Sequence, residues 1–430
     1  MPGLRVSPRR VLLDLGILAT RTRQRGLGRY VSELARGLVA IQNEWAELEI
    51  VFLGRLGWDG QVALSHELEP AILRLTRGAS VSRCAWSYPL RLHGGSAARQ
   101  AGAALLHLPT PGATPLRLGT TPSVVTCHDL IPYRYPEHYA GIEDGFRWGR
   151  RALDRRRYRS ADHVIAVSRA TAADLHQQLG LAPERISVVL SGIDAARWAA
   201  PTAPRDSAHL QRLGLSGRRF ISYVGDADWR KNGPGMLAAL AELRRVDASL
   251  ELVWLGTPSR LAYDRARRAE AERLGVAPAC HFLGYVSDAE LGAVYRSSLA
   301  TLLVSRAEGF GYPVVEAMAA GCPVIASNTS SLPEVAGGAA LLVDPETPSD
   351  IAEAVALLAR DPARREELIR LGRARAAELS LLAQARATLD VYRALLNRST
   401  PAAQSSGRAG LNSAHSRCSP ANPKPSKLFR

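Results

Sequence analysis

Lysine is nearly missing from this 430-residue chain, which holds three lysines against 52 arginines. Lys424 and Lys427 lie at the far end, so Lys231 is the one lysine among the first 423 residues. In a chain so biased toward arginine, that position points to a need for a compact ammonium that a planar guanidinium does not meet. Cysteine is also scarce. Cys84, Cys127, Cys280, Cys322 and Cys418 are the five present, and no two form a C-x-x-C pair, which argues against a zinc cluster or a disulfide framework. Long apolar runs are absent as well. The longest are of strand length, far short of the ~20 residues that span a bilayer.

The start of the chain imitates a signal peptide, with Arg5, Arg9 and Arg10 ahead of the apolar run Val11-Leu12-Leu13-Asp14-Leu15-Gly16-Ile17-Leu18. Asp14 interrupts that run, and Arg21, Arg23 and Arg25 stand where a small-residue cleavage site belongs. The segment reads as a first buried strand. Cytoplasmic residence is expected, with the inner face of the membrane as a further option.

What the chain does have is apolar content, 46%, enough for sizeable cores and, at this length, for two or three domains. It also has a formal charge of +15, unevenly spread. Residues 1–200 carry 26 Arg and 17 acids, residues 399–430 carry five basic residues and no acid, and the stretch between is close to neutral. A basic first half suggests an anionic neighbour such as a membrane surface or a lipid phosphate. Mutational drift toward arginine explains the same numbers.

Strand-like apolar runs alternate with amphipathic helical runs throughout, which is the pattern of parallel α/β sheets. The strands expected in the first half are Val11–Leu15, Glu49–Leu53, Ala104–Leu108, Ser123–Cys127, His163–Val167 and Ser187–Leu190. Those in the second are Phe220–Val224, Leu250–Leu255, His281–Leu283, Ala300–Val304, Val324–Ser327 and Ala340–Val343. Helices are expected over Leu27–Ile41 and Ala170–Leu179, among others. The organisation is therefore an N-terminal Rossmann-like domain (1–198), a Pro-containing linker (199–215), a C-terminal domain (216–378) and a helix (379–398) packing back toward the first domain. A Ser/Pro/Ala/Asn-rich tail (399–430) is expected to be disordered. Two such domains face each other across a cleft at the carboxyl ends of their strands, where open α/β sheets bind ligands.

The sharpest segment is Glu308-Gly309-Phe310-Gly311-Tyr312-Pro313-Val314-Val315-Glu316-Ala317-Met318-Ala319-Ala320-Gly321. Pro313 suits the first turn of a helix and Gly321 its C-terminal cap. Gly309 and Gly311 permit close approach of backbone to a ligand. Free N–H groups at that helix start suit a diphosphate. Glu308 before the helix and Glu316 one turn inside it can accept hydrogen bonds from hydroxyls at opposite ends of a nucleotide sugar. A second segment, Tyr223-Val224-Gly225-Asp226-Ala227-Asp228-Trp229-Arg230-Lys231-Asn232, ends a strand and carries adjacent cations into the next helix.

Glu308, seven intervening residues and Glu316 resemble the signature of family 4 glycosyltransferases, retaining enzymes of the GT-B fold. The runs Pro323–Asn328, Ser331–Val335 and Ala340–Pro345 fit the same family. The resemblance implies that Glu308 contacts the donor sugar, that Glu316 contacts the ribose, and that Lys231 serves the diphosphate. It places Asp226 where the family often has Arg, which leaves Arg230 as the substitute. Gly284 and Val286, in the turn after His281–Leu283, fall where the family passes over the nucleotide base. Arg25-Gly26-Leu27-Gly28-Arg29-Tyr30-Val31 resembles the N-terminal glycine loop that reaches the phosphate. His128-Asp129 resembles the H-D pair at the domain interface, with Asp129 able to fix the tautomer of His128. Ser168 reads first as a helix cap.

The implied catalytic group is therefore His128, Lys231 and Glu308. The implied donor site is Gly26, Gly28, Arg230, Lys231, Gly284, Val286, Glu308, Gly309, Phe310, Gly311, Val314, Val315 and Glu316. No metal and no cofactor are expected; Asp226-Ala227-Asp228 spells D-x-D, but its place ahead of Lys231 argues against a metal role. The expected partners are a nucleotide sugar as donor and a glycan or lipid-linked acceptor, with possible peripheral membrane contact and no nucleic acid. The basic stretch Phe146–Arg159 reads as a solvated helix first and an anionic-lipid surface second. A dinucleotide oxidoreductase would need a third glycine after Gly26 and Gly28. A polyanion-binding protein would leave Glu308 and Glu316 without a role.

Overall fold

The computed structural model describes residues 8–19, 26–53, 55–56, 62–63, 98, 102–111, 120–139, 148–199, 203–256 and 261–398. Arg25, Phe146, Arg147, part of the expected linker and the whole tail from 399 lie outside them.

Twelve strands form two six-stranded parallel sheets. The first sheet holds β1 (Arg9–Asp14), β2 (Leu48–Leu53), β3 (Leu105–Leu108), β4 (Ser123–Cys127), β5 (His163–Ala166) and β6 (Ile186–Val188), in the order β2-β1-β3-β4-β5-β6. The second holds β7 (Arg219–Val224), β8 (Leu250–Leu255), β9 (Cys280–Gly284), β10 (Thr301–Leu303), β11 (Val324–Ser327) and β12 (Leu341–Val343), in the order β9-β8-β7-β10-β11-β12. Both sheets are covered by helices on their two faces, so their inner strands are largely apolar along their length rather than alternating. All four residues of β3 and all five of β4 are buried. A short antiparallel pair, Arg55–Leu56 with Val62–Ala63, stands apart from the sheets.

The order of the second sheet reverses between β7 and β10, and that of the first between β1 and β3. Loops leaving the carboxyl ends at a reversal diverge to opposite faces and open a crevice between them. The two crevices face each other. The loop after β7 carries Lys231, and the loop after β10 carries Glu308.

Part of the stretch expected as a linker is helical. Residues Ala203–Arg212 form a helix with Pro204 in its first turn, a position that costs no hydrogen bond. Arg296 grips Asp206 of this helix through Nε and Nη2, both at 2.7 Å, which fixes it to the second domain. The helix Leu381–Arg398 returns to the first domain and packs on the helix Gly26–Ala40. Two glycines permit that crossing. A Cβ on Gly37 would lie 2.4 Å from the Leu381 carbonyl oxygen, and one on Gly192 would lie 2.2 Å from that of Ser380. Arg386 with Glu44 at 2.7 Å and Arg393 with Glu47 at 2.8 Å hold its outer face.

Candidate active site

Three short loops of the second domain build one side of the cleft. After β7, Asp228 caps a single turn, its side chain accepting from the Arg230 amide at 3.0 Å. That turn throws Arg230 and Lys231 toward the loop after β10. The two loops are sewn together by the Arg306 amide donating to the Arg230 carbonyl at 2.7 Å. The third loop, after β11, sets the start of the glutamate segment. Ser330 accepts from the Glu308 amide at 2.9 Å, and Ser331 donates to the carbonyls of Glu308 and Phe310, each at 3.0 Å.

Glu308 is buried between both cations of the second segment. Its Oε2 accepts from Arg230 Nη1 at 2.9 Å, and its Oε1 accepts from Lys231 Nζ and from Ser305 Oγ at 2.8 Å. Burial alone pushes its carboxyl up, but Lys231 and Arg230 overcome that and hold it down at about 2. Lys231 is itself buried, and desolvation pulls its ammonium below the ordinary range despite Glu308. The sequence places these three residues near one another only as a family likeness; the structure brings their charged atoms into contact.

Glu316 sits one turn into the helix Tyr312–Ala320, which begins at Gly311 in the left-handed region (φ 102°) and ends at Gly321 (φ 79°). Its Oε2 accepts from Tyr295 Oη at 3.2 Å, and its Oε1 pairs with Arg29 Nη1 at 2.8 Å. Arg29 belongs to the first domain, so this pair crosses the cleft. Its Nη2 also reaches Asp288 at 3.0 Å.

The two glycines of the segment are each required by the protein's own packing. Gly311 is required by its own backbone, and an added Cβ would stand 2.6 Å from Leu332. Gly309 makes a close approach, but to protein. A Cβ there would lie 1.8 Å from the carbonyl oxygen of His128. Phe310, Val314 and Val315 bury their side chains in the core, and the Val314 amide already donates to the Gly311 carbonyl at 3.0 Å. Contact from Val314 or Val315 to a ligand is thus confined to main chain. Gly284 closes β9 with φ 67°, and a side chain there would meet open space. Val286 is half-buried beside it.

On the opposite side, Gly26 and Gly28 open the helix Gly26–Ala40, with Gly26 facing Tyr312 across the cleft. His128 follows β4. Its Nε2–H donates to the Pro109 carbonyl at 2.8 Å, and its ring meets Tyr30 edge-on at 4.7 Å. That corrects the role given to Asp129. The Asp129 carboxylate accepts from the Ile131 amide at 3.2 Å and lies within electrostatic reach of Arg230, so the tautomer of His128 is set by Pro109 instead. A carbonyl cannot donate, so Nε2 must hold the proton and Nδ1 is left as the acceptor. Ser168 caps the helix Arg169–Leu179, accepting from the Thr171 amide at 3.1 Å.

Several contacts bridge the two sides of the cleft. Besides Arg29, Tyr139 Oη donates to Asp228 at 3.0 Å, and His138 stacks on Trp229 with ring centres 3.6 Å apart. The Arg169 amide donates to Glu334 at 2.7 Å. Of these partners Arg29 stood inside a motif already singled out. Glu334 lay in the run Ser331–Val335, whereas Tyr139 and Tyr295 carry no local signal, because each is defined by a partner in another segment.

Burial pushes three histidines down, His107 to about 3 and His128 and His163 to about 4. Each is protonated in the unfolded chain below about 6.5 but not in the fold. Their contribution is therefore complete above that pH and is lost as pH falls toward 4 and 3. Glu33 runs the other way. Burial raises it to about 7, so its contribution grows as pH falls from 7 to its unfolded value of about 4.5. Each group is worth about 1.4 kcal/mol per pH unit within its window. Followed by NMR in the folded protein, the three rings are therefore expected to stay neutral until pH falls toward 4. A folded-state ring that takes up its proton near 6.5 contradicts its burial.

Comparisons with known proteins agree with this geometry. The family described as Glycosyl transferases group 1 matches residues 207–375, and Glycosyltransferase Family 4 matches residues 24–197. Among solved structures, a glycosyltransferase from Rickettsia africae superposes with a TM-score of 0.67 at 16% identity, over 92% of this chain and 100% of that one. Anabaena HepE in complex with UDP-glucose gives 0.67 at 18% identity, over 90% and 100%. The two facing parallel-sheet domains are thus the GT-B fold. The chain belongs to the family 4 (group 1) glycosyltransferases.

Similar curated proteins include the MMP alpha-(1->4)-mannosyltransferase of Mycolicibacterium hassiacum, 32% identical over 268 residues, 59% of this chain and 61% of that one. The O-antigen chain mannosyltransferase B of Escherichia coli is 28% identical over 64% of this chain and 70% of its own length. The D-inositol 3-phosphate glycosyltransferase of Segniliparus rotundus is 32% identical over 55% and 53%. The chain thus spans between 53% and 70% of the length of these relatives. No helix among the described residues is long and apolar enough to cross a membrane.

Proposed function

We propose that this chain transfers a hexosyl group, mannosyl in the first instance, from a nucleotide diphosphate sugar to an acceptor hydroxyl, with retention of configuration. The observation that carries this reading is the convergence of Lys231 and Arg230 on Glu308 at the order reversal of the second sheet. Fixed cations beside a carboxylate, at the crevice where such sheets bind nucleotides, suit a diphosphate leaving group next to a sugar.

In this reading Lys231 and Arg230 stabilise the charge that develops on the departing diphosphate, and Arg230 takes the phosphate contact that Asp226 does not make. Glu308 accepts hydrogen bonds from the sugar and holds both cations in place. Glu316 accepts from the ribose. His128 is neutral at physiological pH, and its Nδ1 accepts from a hydroxyl of the transferring sugar. Departure and attack occur on the same face, because no carboxylate is placed as a nucleophile. A metal is not needed, since side-chain cations and helix N-termini carry the positive charge.

The two mannosyltransferase relatives support a mannosyl donor and a glycan or lipid-linked acceptor in cell-surface polysaccharide synthesis. The exposed Arg155, Arg156 and Arg159 of the helix Trp148–Ser160 support peripheral contact with the inner face of a membrane.

Transfer is expected to continue in excess EDTA, and the product of an α-linked nucleotide hexose should carry an α linkage by NMR. Loss of activity on chelation with recovery in magnesium or manganese contradicts the metal-independent part. A β-linked product contradicts retention.

A further inference from the structure

Arg29 stands in an unfavourable place. It lies in the first turn of the helix Gly26–Ala40, where the helix dipole repels a cation. Its position is nevertheless fixed from three sides. Nη2 meets Asp288 at 3.0 Å, Nη1 meets Glu316 at 2.8 Å, and the guanidinium lies over the Trp198 ring at 5.1 Å. The residues that hold it are outside its own helix, and two of them belong to the second domain.

Glu316 depends on this arrangement. It is 3% exposed, and burial together with the nearby Asp288 pushes its carboxyl upward, opposed mainly by Arg29. The other cation close by, Arg197, is engaged by Asp288 at 2.6 Å. Tyr295 offers a neutral hydroxyl only. Without Arg29, Glu316 is a buried carboxyl with no cation of its own, and such a group takes up a proton. A protonated carboxyl loses acceptor capacity and gains a donor. Arg29 does not block the group, however. A carboxylate has about four acceptor sites; Arg29 and Tyr295 use one each, which leaves two for a pair of vicinal hydroxyls.

We infer that Arg29 is a positioning residue of the first domain that completes the nucleoside site of the second, by holding Glu316 ionised and aimed at the ribose when the domains close. This rests on the donor reading given above. It adds a coupling: the ribose site is whole only in the closed form, so nucleotide affinity and domain closure reinforce each other through one side chain.

The test is a double-mutant cycle read by calorimetric titration with UDP, GDP, ADP and dTDP. Arg29→Ala is expected to weaken the diphosphate that binds the parent by about tenfold or more, the effect of losing a charged hydrogen-bonding partner. Arg29→Lys keeps a charge beside Glu316 but not the fork that also reaches Asp288, so it should recover part of the affinity, and an unchanged melting temperature of the unliganded variants separates this role from a loss of fold. In a Glu316→Gln background the site is already neutral, so adding Arg29→Ala should change affinity by less than about twofold, as for residues that act as one unit. Unchanged binding by Arg29→Ala overturns the inference alone, as does an equal loss in the Glu316→Gln background. Failure of all four diphosphates to bind the parent protein overturns the donor reading and the inference with it.

Discussion

Lys231→Arg is expected to lose about 10²–10³ in turnover, as much as Lys231→Ala, which is the usual loss when a preorganised partner of developing charge is removed. The side chain is enclosed, with 8% of the residue exposed, and its ammonium rests on Glu308 Oε1. Its amide donates to the Asp228 carbonyl at 2.9 Å, which ties its backbone into the turn. Arginine is longer and planar, and Arg230 already occupies the other oxygen of Glu308 at 2.9 Å. The two variants should separate in stability. Lys231→Ala takes one of two cations from a buried carboxylate and lowers the melting temperature, whereas Lys231→Arg keeps the charge and lowers it less. Parent turnover in both variants removes Lys231 from the site.

Glu308→Ala carries the largest combined effect. It leaves the half-buried Arg230 and the buried Lys231 as adjacent like charges and strips Ser305 of its acceptor. Breaking a buried ion pair from one side costs about 3–5 kcal/mol, which at this chain length is a clear fall in melting temperature. Turnover should drop more than for Lys231→Arg, because both phosphate cations lose their anchor and the sugar loses its acceptor. Glu308→Gln separates the two effects. It keeps the volume and one carbonyl acceptor, so a folded Glu308→Gln protein should retain donor binding while remaining poor in turnover. A Glu308→Gln protein that transfers sugar at the parent rate shows that the charge of this residue is not used.

The fold was legible from apolar periodicity, since each of the twelve expected strands is present, with ends that move by no more than two residues. Val11–Leu15, for instance, is Arg9–Asp14 in the structure. Strands buried on both faces announce themselves as continuous apolar runs, and these chains of Val, Ile and Leu are short enough to exclude helices. The linker was less legible. Pro201 and Pro204 read as breakers, yet a proline in the first turn starts a helix as readily as it ends one, and the helix Ala203–Arg212 is held by Arg296, about 90 residues on.

The site divides the same way. Glu308, Glu316 and Lys231 lie in local motifs, and the topology gathers them as expected of loops at a sheet reversal. What the sequence could not disclose is which charge neutralises which. Arg29 and Glu316 lie in different domains, and neither periodicity nor spacing encodes their contact. Gly309 shows the same limit. Its need for close approach was readable, but not that the His128 carbonyl is what approaches it.

The central claim is that the crevice between the two sheets is a nucleotide-sugar site in which Glu316 holds the nucleoside. Its most direct test is a thermal-shift panel of UDP-, GDP-, ADP- and dTDP-hexoses on the parent protein and on Glu316→Ala. A true donor stabilises the fold by about 2.7 kcal/mol at a hundred times its Kd. At least one nucleotide sugar should therefore raise the melting temperature of the parent, and the same sugar should raise that of Glu316→Ala much less. If no nucleotide sugar shifts the parent, or if Glu316→Ala shifts just as far, the account is contradicted.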